Sequence, residues 1–88
     1  MKEELLNIIA EYLDTSPDEL QDSKTLIDLQ IDSLDFVEIM FEIEEKFDVS
    51  IMFEMQEHKN ELGNLGDVLR LLEHEILKNR TVQQASGE

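Results

Sequence analysis

The chain has 88 residues with 22 acidic and 7 basic side chains, a formal net charge of −15, and a length that supports one small core but not two. Such a charge argues against direct nucleic-acid binding, which needs Lys and Arg against phosphate, and predicts basic partner surfaces met under salt-sensitive steering. The absence of cysteine excludes disulfides and a protein thiolate, so any thiol chemistry must arrive on a cofactor; with no secretory signal and no apolar run of membrane-helix length, a cytoplasmic protein without stable membrane insertion is expected.

Leu5, Leu6, Ile8, Ile9, Tyr12 and Leu13 recur at helical spacing and predict a first helix of about three turns, with Glu3 and Glu4 placed to complement its dipole. Ser16-Pro17-Asp18-Glu19 reads as a capping box with proline at a position where its missing N–H is harmless. A short helical turn pinned by Leu20 follows. Residues 21–31 lack a sustained helical period and predict a long loop folded over the core, with Leu26, Ile27 and Leu29 as apolar anchors.

Asp32-Ser33-Leu34-Asp35 then opens a strongly amphipathic helix. Asp32 suits the N-cap, and Asp35 can reach back to it. Ser33 falls at the first helical position, where its hydroxyl lies beside unpaired amides and the positive end of the dipole, a setting that favours an anionic oxygen such as phosphate. At roughly 100° per residue the helix carries three arcs. Phe36, Ile39, Met40, Ile43 and Phe47 form the core face. Leu34, Val37 and Phe41 form an apolar ridge beside an acidic wall of Asp35, Glu38, Glu42 and Glu45, which is either a docking surface or the edge of a wide buried face.

Beyond Phe47, Val49, Ile51 and Phe53 alternate without a second strand to pair with, so a loop with buried anchors is expected. A short helix is expected within 52–62, broken by Gly63. Asn64 then caps a last helix, with Asp67 at its third position. Leu65, Val68, Leu69, Leu72, Ile76 and Leu77 make its apolar stripe, and Lys78 and Arg80 complement its C-terminal dipole. The polar residues 81–88 read as a frayed tail, leaving residues 1–80 as the domain. The fold class is all-α: a small bundle of three main helices plus a short one, with a long loop between the first and second.

Asp32-Ser33-Leu34-Asp35, Val37-Glu38 and Glu44-Glu45-Lys46-Phe47, within a small acidic chain, resemble the acyl carrier proteins over nearly the whole length. The resemblance implies that Ser33 receives 4'-phosphopantetheine from coenzyme A through a phosphopantetheinyl transferase. The thiol of that arm would carry acyl groups as thioesters to acyl-transferring and acyl-modifying enzymes of fatty-acid, lipid or polyketide type. The protein would then be a monomeric carrier without catalytic residues of its own. Leu34, Asp35, Val37, Glu38, Phe41, Glu44 and Glu45 match partner-facing positions of the family. Phe36, Ile39, Met40, Ile43, Leu65, Leu69 and Leu72 are candidate walls for a sheltered acyl chain, and equally an ordinary packed core.

Three departures stand out. The family usually has glycine two residues before the motif's aspartate, where this chain has Gln30, so the approach to the serine is expected to be shaped differently. Ile51-Met52-Phe53-Glu54-Met55 replaces the usual Ile-Pro-acidic run, and the connection to the last helix is a few residues longer. Together these suggest a specialised carrier. His58 and His74 lack a ligand constellation, an EF-hand loop is missing, and paired carboxylates are too abundant to imply acid–base catalysis. An unmodified acidic interaction protein and an aminoacyl or peptidyl carrier remain as alternatives; Asp35 and the acidic second helix favour acyl cargo.

Overall fold

A computed structural model describes the backbone of residues 1–86 and the side chains through Asn79. Its regular elements are helical: α1 (Lys2–Leu13), α2 (Ser33–Phe47), α3 (Met52–Glu57) and α4 (Leu65–Ser86), with 3₁₀ turns at Pro17–Glu19 and Lys59–Glu61. This is the expected small bundle of three main helices and a short one, with a long loop between α1 and α2. The tail expected at 81–88 lies, in its side chains and its last two residues, outside the described residues.

One core joins all four helices. Leu5 and Ile9 of α1 meet the α2 stripe of Phe36, Ile39, Met40 and Ile43, Met55 of α3, and Leu65, Val68, Leu69, Leu72 and Ile76 of α4. Burying one such side chain contributes about 1.5–3 kcal/mol, so this shared face, rather than helix propensity, holds elements of this length together.

Several expectations need correction. Phe47, expected on the core face of α2, is only partly buried at the core's margin. Leu77 is 53% exposed, because it follows Ile76 by one residue and so stands about 100° around the helix from the buried stripe. Phe53 is 72% exposed. The alternation that makes it look inward stops once α3 begins at Met52, after which the buried position following Ile51 is Met55, four residues on. Ser16 accepts from the amide of Asp18 at 3.3 Å, which makes a 3₁₀ turn rather than a capping box. Lys78 and Arg80 stand within α4 instead of in its last turn, which holds no basic residue.

The loop before α2 is ordered by its own hydrogen bonds. Thr25 and Asp28 exchange backbone-to-side-chain bonds at 3.1 and 3.0 Å, and the amides of Leu65 and Gly66 donate to the carbonyls of Lys24 and Asp22 at 2.7 and 3.0 Å. Gly66 is where backbones meet, since a Cβ there would sit 3.2 Å from that of Asp22. Leu20 and Ile31 are buried as anchors, but Ile27 is 86% exposed. It lies on the outer side of a single turn closed by bonds from Gln30 to Ile27 and from Ile31 to Leu26. Those bonds form the helix-ending motif that puts its penultimate residue in the left-handed region, and Gln30 has φ 58°. The loop thus keeps a glycine-type backbone at this position without a glycine.

Tyr12 links α1 to α2. Its hydroxyl lies 2.7 Å from Glu38 Oε1 and 3.0 Å from Asp35 Oδ1, and donates its single hydrogen between them. Hydrogen bonding to Glu38, then burial and the bond to Asp35, hold the phenol well above its ordinary value of 10.0.

Two outcomes are expected. Gln30→Gly should stabilise the fold by roughly 0.5–1 kcal/mol in denaturant unfolding, the relief of about 1–2 kcal/mol of left-handed strain less the added freedom of the unfolded chain. A loss of stability would show that the Gln30 side chain compensates its backbone. Because Tyr12 is the only tyrosine, spectroscopic titration reads it alone. Its midpoint should lie above that of free tyrosine and fall in Glu38→Gln by more than in Asp35→Asn; a midpoint at the free value would rule the bridge out.

Candidate functional site

Helix α2 begins where the sequence places it. Asp32 is extended, with φ −89° and ψ −174°, and its Oδ1 accepts from the Asp35 amide at 2.8 Å while Asp35 Oδ2 accepts from the Asp32 amide at 3.3 Å. With both caps satisfied, Ser33 is the first helical residue and its side chain is exposed. The first-turn amides and the positive end of the dipole are close to that hydroxyl.

A lysine that the sequence reading passes over completes this site. Lys59, at the start of the second 3₁₀ turn, donates from Nζ to Ser33 Oγ at 2.7 Å across 26 residues of chain. Its ammonium also lies 5.3 Å from the centroid of the Phe36 ring, within cation–π range. The signal that could have found it is a basic residue, one of only 7, in the connection after α3. Beside Ser33 and Lys59 opens a cleft of about 520 Å³ whose walls include Leu26, Ile27, Ile31, Asn60 and Leu62.

Of the residues expected to face partners, Leu34 and Phe41 are 66% and 57% exposed. Val37 is half-buried between them, and Glu38 and Glu45 are exposed. Three acids have other work, the first being Glu38, which accepts from the Tyr12 hydroxyl at 2.7 Å. Asp35 caps α2 and meets Tyr12, and Glu44 Oε2 accepts from the amides of Ile51 and Met52 at 2.7 and 2.8 Å, fastening the start of α3 to α2. Glu44 is therefore tied into the fold rather than open on the ridge. The candidate acyl walls Phe36, Ile39, Met40, Ile43, Leu65, Leu69 and Leu72 do come together, each no more than 3% exposed in a closed core. His58 lies at the surface against Glu61, with Nδ1 3.3 Å from Oε1.

The residues around Ser33 fit a phosphodiester: an exposed hydroxyl to carry it, an ammonium beside that oxygen and a helix N-terminus beneath. Comparison with known proteins points the same way. The phosphopantetheine attachment site family matches residues 3–72. An acyl carrier protein of Sulfurovum sp. is 37% identical over 73 residues, 82% of this chain and 93% of that protein. The acyl carrier protein of Wolinella succinogenes is 36% identical over 81% of this chain and 91% of its own length. That of Campylobacter hominis is 37% identical over 89% and 95%. An all-helical bundle, a serine-led acidic helix and this coverage agree, and the chain belongs to the acyl carrier proteins, the family that bears 4'-phosphopantetheine.

Proposed function

We propose that Ser33 is the residue that bears the arm, and that the chain is a carrier presented to other enzymes rather than an enzyme itself. The observation that carries this is the exposed Ser33 hydroxyl at the first position of the capped helix α2, inside the matched segment. In the transfer, Ser33 Oγ forms a bond to the phosphorus of coenzyme A nearest the pantetheine. The bond from that phosphorus to the nucleotide half breaks, and the hydroxyl proton passes to a base of the transferase. Lys59 donates to Oγ, so the hydroxyl hydrogen points away from it and stays accessible to that base. The arm then supplies a thiol that holds acyl groups as thioesters.

Partner enzymes dock through the ridge of Leu34, Val37 and Phe41 and the exposed carboxylates of Glu38 and Glu45. Net charge of −15 selects basic surfaces and speeds encounter more than it tightens the complex. Asp35 and Glu44 support this surface by fixing the two ends of α2. An acyl chain is sheltered by parting Phe36, Ile39, Met40 and Ile43 from Leu65, Leu69 and Leu72, a movement that Met40 eases because its unbranched side chain repacks readily. The carrier domain is residues 1–80, works in the cytoplasm as a monomer, and serves a specialised cargo or partner, a reading supported by the altered run Ile51–Met55 and the longer connection that follows it.

Intact-protein mass after incubation with coenzyme A and a promiscuous phosphopantetheinyl transferase tests the assignment. Wild type should gain one phosphopantetheinyl unit and Ser33→Ala none. A folded, initially unmodified wild-type sample that gains nothing from more than one transferase would return the chain to an unmodified acidic interaction module.

A further inference from the structure

We propose that Lys59 is a positioning residue that pairs with the phosphodiester on Ser33 and sends the arm out along the Lys59 side of the helix. The proposal rests on the assignment of Ser33 above and adds to it the group that holds the phosphate. Three observations carry it. Lys59 Nζ already reaches Ser33 Oγ at 2.7 Å, and once Oγ is esterified the non-bridging phosphate oxygens lie one bond beyond the phosphorus, within reach of the same ammonium after a small rotamer change. The ammonium is held from a second side by the face of Phe36, so its position does not depend on the ester being present.

The third observation is the local charge. Ser33 is flanked by the capping carboxylates of Asp32 and Asp35, in a chain whose acids outnumber its bases 22 to 7. A new negative charge placed there meets repulsion that the helix dipole offsets only in part. Lys59 supplies the opposite charge at the point of attachment. Charge-assisted bonds of this kind are short and directional, so the pair fixes orientation as well as offsetting repulsion. The arm then starts toward the cleft formed by Leu26, Ile27, Asn60 and Leu62, leaving the ridge of Leu34 and Phe41 clear for partners.

The test compares thermal unfolding of unmodified and phosphopantetheinylated protein for wild type, Lys59→Gln and Lys59→Arg, at low and high salt, with loading checked by intact mass. In wild type at low salt the modified form should melt about 2–4 °C above the unmodified form, the value expected of one exposed ion pair in a domain of this size. That gap should vanish in Lys59→Gln, persist in Lys59→Arg, and shrink at high salt as screening grows. Full loading with the same gap in Lys59→Gln as in wild type overturns the Lys59 pairing and leaves the assignment of Ser33 standing. Failure of wild type to load overturns both. Should Lys59→Gln not fold, the modified wild type decides by NMR: a through-space contact between the Lys59 ε-methylene and the first methylene of the arm supports the pairing, and its absence overturns it.

Discussion

The reciprocal bonds between Asp32 and Asp35 set the first residue of α2, and nearly everything else in the molecule follows from that residue. A start displaced by one position would move Ser33 off the first helical position, while the 3.6-residue spacing of Phe36, Ile39, Met40 and Ile43 keeps that stripe on one face. With the start fixed, three consequences hold together. The buried stripe faces α1 and α4, the ridge of Leu34, Val37 and Phe41 faces outward, and the Ser33 hydroxyl stands at the positive pole of the helix within reach of Lys59.

A net charge of −15 on so small a domain works against compactness through self-repulsion, and the fold offsets this by giving several acids local work. Asp28 and Asp67 each cap a turn. The backbone N–H of Thr25 holds Asp28, and that of Gly63 holds Asp67, below the ordinary carboxylate value of 3.8. A depressed value means that their stabilisation is present above 3.8 and is lost as pH falls through the lower folded value. Acidification has a second, opposite effect, since it also neutralises the exposed carboxylates that repel one another. Glu44 shows the same division of labour: though it sits on the acidic helix, its carboxylate serves two backbone amides of the next element.

Helix α2 and the place of Ser33 at its first position were legible because their determinants are local. A cap four residues long, a 3.6-residue apolar period and a hydroxyl at a defined position can all be read without knowing what lies across the fold. Phe53 and Leu77 were misread for a related reason, since each extends a local pattern by one step beyond the point where packing stops rewarding it. Gln30 is the instructive case. Glutamine at a position that the family usually gives to glycine implies a differently shaped loop, yet the backbone adopts the left-handed conformation regardless. The two closing hydrogen bonds and the burial of Ile31 outweigh about 1–2 kcal/mol of strain. The contact of Lys59 with Ser33 was not legible because the two lie 26 residues apart, and no periodicity links a short 3₁₀ turn to the start of an earlier helix; only the scarcity of basic residues pointed to that lysine.

The connection between α3 and α4 gains a physical role from that contact. Its 3₁₀ turn lays Lys59 over the Phe36 ring and against Ser33. Phe36 thereby serves two purposes: it is buried in the core, and its ring face seats the cation beside Ser33. Phe36 lies within the core, so a movement of its ring would be felt by the ammonium beside Ser33. The packing of the interior and the surroundings of the Ser33 hydroxyl thus share one aromatic side chain.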